Sequence, residues 1–192
     1  MNIYKFLLLL PLFLLAACGD DNNDTCKVPA ADNLLHYDCP NNTGPLLEAG
    51  VHELAIRFPA SQLADYAGKN LTQVEVFFGI KPAAASIKIY DGLASATPQP
   101  GAMLSNEINV TNAIKVQEWN TYTVSPPVPI GNTDIWISVK VNHATTQQSV
   151  GCDAGPRREG GDWLFSESDQ EWKTYLARTG EGVNWNIRGV VE

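Results

Sequence analysis

From residue 50 to the C-terminus, apolar and polar side chains alternate with a period of two, and that alternation leaves few folds open. Leu54, Ile56 and Phe58 fall on one face of a predicted strand, with Glu53, Ala55 and Arg57 on the other. Val74, Val76, Phe78 and Ile80 alternate with Gln73 and Glu75 in the same way, and Ile87 and Ile89 flank Lys88. Ile135, Ile137, Val139 and Val141 point away from Trp136, Ser138 and Lys140. Successive side chains of a strand point to opposite faces, so this is the pattern of half-buried antiparallel strands. Weaker strands are predicted near 103–110, 119–124, 163–166, 172–176 and 184–191. Breakers such as Lys81-Pro82, Asp91-Gly92, Pro126-Pro127 and Gly160-Gly161 separate them. Many short strands with such interruptions predict an all-β chain, an antiparallel jelly-roll β-sandwich with one short helix. The helix is placed over 59–68, with Ser61 as its N-cap, Gly68 as its stop, and Leu63 and Tyr66 on one face.

The N-terminus has a different logic. Lys5 is followed by an apolar run from Phe6 to Leu15 and then by Ala16-Ala17-Cys18. A short positive region, an apolar stretch and small residues are the anatomy of a secretory signal peptide. The run is shorter than the ~20 residues needed to span a bilayer, and Pro11 interrupts it. Leu15-Ala16-Ala17-Cys18 resembles a bacterial lipobox. That resemblance implies cleavage after Ala17, diacylation of Cys18 (palmitate-type chains) and an anchor in the outer membrane without a membrane-spanning helix. The run Gly19-Asp20-Asp21-Asn22-Asn23-Asp24 lacks apolar residues and reads as a solvated tether. An acidic run directly after the lipidated cysteine resembles the surface-export signal of Bacteroidetes lipoproteins, which places the domain on the cell exterior. The organisation is thus a lipoprotein signal peptide over 1–17, an acidic tether over 18–33 and one β-sandwich domain over 34–192.

Composition narrows the partners. The formal net charge is −8, with 13 basic against 21 acidic side chains, and cleavage would remove Lys5 as well. An acidic surface repels phosphate backbones, so nucleic-acid binding is not expected. Four cysteines are present. With Cys18 assigned to lipid, an oxidising compartment permits one disulfide among Cys26, Cys39 and Cys152. Cys26 and Cys39 are close in sequence and both precede the strand pattern, which favours their pairing over the alternative, Cys39–Cys152.

A set of short blocks carries a further resemblance. Phe58…Leu63…Tyr66-Ala67-Gly68-Lys69…Leu71-Thr72-Gln73-Val74 is the first. Ile87-Lys88-Ile89-Tyr90-Asp91-Gly92 and Trp119-Asn120…Pro127-Val128-Pro129-Ile130…Ile135-Trp136-Ile137 continue it. Gly151-Cys152-Asp153-Ala154-Gly155-Pro156, Gly161-Asp162-Trp163 and Asn184-Trp185-Asn186-Ile187-Arg188-Gly189 close it. Together they resemble the cleaved-adhesin or choice-of-anchor-J-like β-sandwich domains of Bacteroidetes surface proteins, over roughly residues 34–192. The resemblance implies an extracellular jelly roll, often stabilised by calcium. Asp38 and Asp153 are the candidate metal ligands, with Asn41, Asn42 and Asp162 as further oxygen donors. Cys39 stands in the segment Tyr37-Asp38-Cys39-Pro40, where the family pattern has acidic and glycine residues.

No residue set announces catalysis. The three histidines are His36, His52 and His143, and no G-x-S-x-G elbow occurs. Cys152 beside Asp153, with His143 as base, is the one nucleophile arrangement to weigh, and its glycine-flanked turn favours an inert thiol. Glu159, Asp162, Glu167, Asp169 and Glu171 supply carboxylates for glycoside hydrolysis, but a run bunched with Arg157 and Arg158 reads as a solvated face. Carbohydrate binding needs flat aromatic faces with directional polar partners. Trp136 alternates away from a strongly apolar face, and Trp172 sits in Glu171-Trp172-Lys173, so both are predicted to be exposed. The chain is therefore read as a non-enzymatic, adhesin-like lipoprotein with a monomeric domain. It would bind an extracellular glycan or protein through Trp136, Asp153, Asp162 and Trp172. The alternative is an accessory subunit of a cell-surface complex with no small ligand.

Overall fold

The computed structural model describes residues 33–93 and 97–192. Among the described residues eleven strands run in chain order: β1 (Leu34–His36), β2 (Gly50–Phe58), β3 (Asn70–Phe78), β4 (Ala84–Gly92), β5 (Pro100–Met103) and β6 (Ile108–Asn109), then β7 (Glu118–Pro129), β8 (Ile135–His143), β9 (Trp163–Ser166), β10 (Glu171–Thr174) and β11 (Ile187–Val191). They form two antiparallel sheets. One has the order β1-β11-β3-β7, and the other β10-β9-β2-β8-β4-β5 with β6 also paired to β4. The all-β antiparallel expectation holds.

The alternation decides what lies between the sheets. Leu54, Ile56, Ile87, Ile89, Ile137 and Val139 from the larger sheet meet Leu71, Val74, Val76, Phe78, Val124 and Ile187 from the smaller one in a single core. Burying apolar side chains contributes ~25 cal/mol per Å² removed from water, and it sets which phase of each strand faces in. The strands at the centre of the larger sheet are not half-buried as expected. Glu53, Ala55, Trp136 and Ser138 are all buried although they point away from that core. They lie on β2 and β8, which have neighbours on both sides, and large side chains from those neighbours cover them.

Helical structure differs from the expectation in place and type. The segment 59–68 forms two 3₁₀ turns, Ala60–Gln62 and Ala64–Tyr66, with no side-chain cap from Ser61. Each turn closes by short-range backbone bonds of the 3₁₀ type (Gln62 N to Pro59 O, 2.9 Å; Tyr66 N to Leu63 O, 2.9 Å). The Asp134 carboxylate accepts from Ala60 N at 2.9 Å and ties the first turn down. Leu63 still fills the core end. Among the described residues the one α-helix is α1 (Tyr175–Thr179), in a stretch whose alternation predicted strand. Thr174 Oγ1 accepts from Ala177 N at 3.1 Å, and Gly180, at φ +82°, ends the helix. Two local signals thus override two residues of alternation.

Candidate functional site

The acidic residues predicted to bind a ligand or a metal, Asp38, Asp153 and Asp162, are buried structural acceptors. Asp153 lies under the surface, 1% exposed. It accepts from Cys39 N at 2.8 Å, Gly155 N at 2.9 Å, Asn184 N at 3.0 Å and Asn184 Nδ2 at 2.9 Å. Asp38 is equally buried. Arg188 clamps it with Nε on Oδ1 at 3.0 Å and Nη2 on Oδ2 at 2.7 Å, and Asn186 Nδ2 donates at 3.0 Å. The Arg188 guanidinium also lies over Trp119, 3.8 Å from the ring centroid. Burial pushes the Asp38 carboxyl up, but the bonds from His36 and Arg188 outweigh it and hold the group below the usual carboxylate range. Asp162 Oδ2 accepts from Arg157 Nε at 2.8 Å and from Leu176 N at 3.1 Å, which seats the start of α1.

These contacts bear on calcium. A cation needs several oxygens turned into one space. Here the carboxylates of Asp38 and Asp153 are turned to N–H donors, so the donor set does not fit the ion. Among the described residues no group of three His, Cys, Asp or Glu side chains is placed to hold a metal.

The cysteines divide as follows. Cys39 is disulfide-bonded and Cys152 is a free, buried thiol, so Cys39–Cys152 is not formed. Cys26, the expected partner, and Cys18, the lipidation residue, lie outside the described residues. Burial, with the charges of Asp153 and Glu181, pushes the Cys152 thiol up to about 12, so it carries almost no thiolate at neutral pH. His143 turns to Ser149 instead, Nε2 to Oγ at 2.7 Å, and both are about 2% exposed. Burial lowers the His143 pKa. That serine–histidine pair is closed to substrate. In the 159–171 segment, Asp169 accepts from Arg178 Nη1 at 2.6 Å and Glu171 pairs with Lys173.

The two predicted tryptophans meet elsewhere, on the outer face of the larger sheet. Trp136 is fully buried rather than exposed. Its ring lies 5.0 Å from Trp163 and 5.7 Å from Trp172, which in turn lies 5.6 Å from Phe165. Ala55, beside Trp163 in the register, is the small residue that lets these rings lie down on the sheet. Trp172 and Phe165 remain partly exposed. Next to the rings sits Glu53, which sequence reasoning passed over as a solvent-facing residue. It is buried and accepts from Ser138 Oγ at 2.6 Å and Tyr90 Oη at 2.8 Å, with Lys88 Nζ at 3.4 Å. Burial and the adjacent Glu53 carboxylate push the Tyr90 phenol up. Further along the same face an open cleft of about 510 Å³ is lined by Val51, Ser86, Glu107, Asn109, Lys140 and Asn142 among others. The structure therefore joins Trp136 to Trp172 and separates both, in chemical character, from the buried carboxylates of Asp153, whose two oxygens are both engaged, and Asp162, whose Oδ2 alone is. The signal for this face was present in sequence: Glu53, Ser138, Lys88 and Tyr90 all share the polar phase of strands whose other phase is core.

No protein-family model matches this chain, and no curated protein does. Among solved structures it is similar to the cysteine protease and lectin-like domains of Cwp84, a surface-layer-associated protein of Clostridium difficile. The TM-score is 0.50 at 9% sequence identity. The match covers 76% of this chain and 33% of that one, so this chain spans about a third of that chain's length. The likeness is one of fold alone.

Proposed function

We propose that this chain is a lipid-anchored outer-membrane protein of the Bacteroidetes type whose jelly-roll domain faces the cell exterior and captures a ligand in the manner of an adhesin. One observation carries the reading: partly exposed Trp172 and Phe165 sit on a packed aromatic layer, and an open polar cleft lies further along the same sheet face. Aromatic side chains with one face packed and another in water are characteristic of recognition surfaces. The lipobox resemblance and the acidic tether support the location. The reading is of binding rather than catalysis, because Cys152, His143 and Ser149 are all closed to substrate.

The test has two arms. Cells expressing the full chain are fed an alkynyl palmitate analogue and then shaved with protease. Labelling that disappears in Cys18→Ala, and loss of the domain from intact cells, are expected. An unlabelled Cys18 or a protected domain would overturn the location. The purified lipoprotein in detergent is then screened on arrays of glycans and matrix proteins, with binding expected to fall at least tenfold in Trp172→Ala. Array silence together with a stoichiometric co-purifying protein would replace ligand capture with the accessory-subunit reading.

A further inference from the structure

The aromatic layer is one end of a longer strip. Register sets Trp172 beside Phe165, Phe165 beside Glu53, Glu53 beside Lys140, Lys140 beside Ser86 and Ser86 beside Asn109. These residues form one row across β10, β9, β2, β8, β4 and β6. Adjacent strands lie ~4.8 Å apart, so the row runs about 24 Å across the sheet. Its ends differ in chemistry. Partly exposed rings stand at one end, and the cleft with Glu107, Asn109, Asn142 and Ser86 at the other. Between them, Glu53 is held by Tyr90, Ser138 and Lys88, which stiffens the middle of the row. Formal charges on the strip cancel, Glu53 and Glu107 against Lys88 and Lys140.

Resting on the ligand-capture reading above, we infer that this strip binds an extended, neutral glycan laid across the strands. The Trp172 and Phe165 rings stack on the apolar C–H face of one sugar, as flat hydrocarbon surfaces do in water. The cleft's amides, hydroxyls and Glu107 carboxylate bond hydroxyls of a sugar several units away, where directional partners fix orientation. Charge balance favours a neutral chain, since a polyanion would face two carboxylates and a polycation two ammonium groups. The length of the strip favours a linear oligosaccharide, because a single sugar fills only one end.

The full mature lipoprotein in detergent is run through native gels containing soluble xylan, galactomannan, mixed-linkage β-glucan or dextran, with pectate and heparin as charged controls. Retardation by at least one neutral polymer is expected. Calorimetry with oligosaccharides of that polymer should show affinity rising at least tenfold from the monosaccharide to a chain of several units. Trp172→Ala and the double variant Glu107→Gln/Asn109→Ala should each lose at least tenfold. The double variant alters exposed residues only, so an unchanged melting temperature keeps the result interpretable if Trp172→Ala unfolds. Full affinity for a monosaccharide, retardation by charged polymers alone, or full binding by the double variant would overturn the strip. If every neutral glycan is silent while a protein ligand from the arrays still requires Trp172, this inference falls and ligand capture stands. Silence in both screens brings down both.

Discussion

Asp153 offers the sharpest test of how the loop end is held together. In Asp153→Ala, the backbone N–H groups of Cys39, Gly155 and Asn184 lose their acceptor at once, and the Asn184 side-chain amide keeps only Pro156 O. A buried donor left without a partner costs about 1–3 kcal/mol, so the three backbone groups at the low end of that range give about 3 kcal/mol. That is a large share of the ~5–15 kcal/mol by which domains are stable. At ~2–4 °C per kcal/mol for a domain of this size, the melting temperature should fall by about 6–12 °C. Asp153→Asn keeps the volume but turns an NH₂ toward groups that are themselves donors, so it should be nearly as damaging. The assay is thermal and urea unfolding of wild type and both variants, each with calcium and with chelator. The donor network predicts the same loss in both conditions. A calcium ligand predicts instead that chelator lowers the wild type to the level of the variants. A loss below about 1 kcal/mol, or one that vanishes in chelator, would refute the reasoning from hydrogen bonds.

Other outcomes follow from the same geometry. Cys152 should resist a thiol reagent such as DTNB in the folded protein and react on unfolding, since burial holds its thiol up at about 12; rapid native-state reaction would contradict its placement. His143 is buried beside His52 and its folded pKa lies below the ordinary 6.5, so the unfolded chain binds the proton more readily. Stability from this group is complete above about pH 6.5 and falls as pH drops below it, with a shallower fall in His143→Gln measured by urea midpoints. Asp38 acts at lower pH: its stabilisation is present above the ordinary carboxyl value of 3.8 and is lost as pH falls below it. Gly160 has φ +94°, and a Cβ there would sit 2.4 Å from Arg57 O. Gly160→Ala should therefore destabilise by more than ~1 kcal/mol, read from the same urea curves.

The loop-end carboxylates show why chemistry read from residue type alone can mislead. Asp38, Asp153 and Asp162 are acidic, the last two stand in glycine-rich turns, and all three are plausible acceptors for a ligand or a cation. Whether an acceptor is available depends on which N–H groups the fold aims at it. For Asp38 and Asp153 the decisive donors include Asn184, Asn186 and Arg188, which are distant in sequence, and for Asp162 they are Arg157 Nε and Leu176 N. Trp136 was misplaced for a related reason. Period-two reasoning assigns the polar phase of a strand to water, and it fails when bulky neighbours such as Trp163 and Trp172 cover that phase.

The sequence by itself determined the class of the fold and the inward phase of its long strands. A period of two has one physical origin, and a one-residue slip would expose the whole apolar set. It also marked the polar phase on which Glu53, Lys88, Tyr90, Trp136 and Ser138 all lie. Only the tertiary structure decided that these residues share one patch. Their strands, β2, β8 and β4, are neighbours in an order that the chain does not follow, so the contacts are long-range. Strand order depends on how whole sheets close around a common core, and no local pattern encodes it.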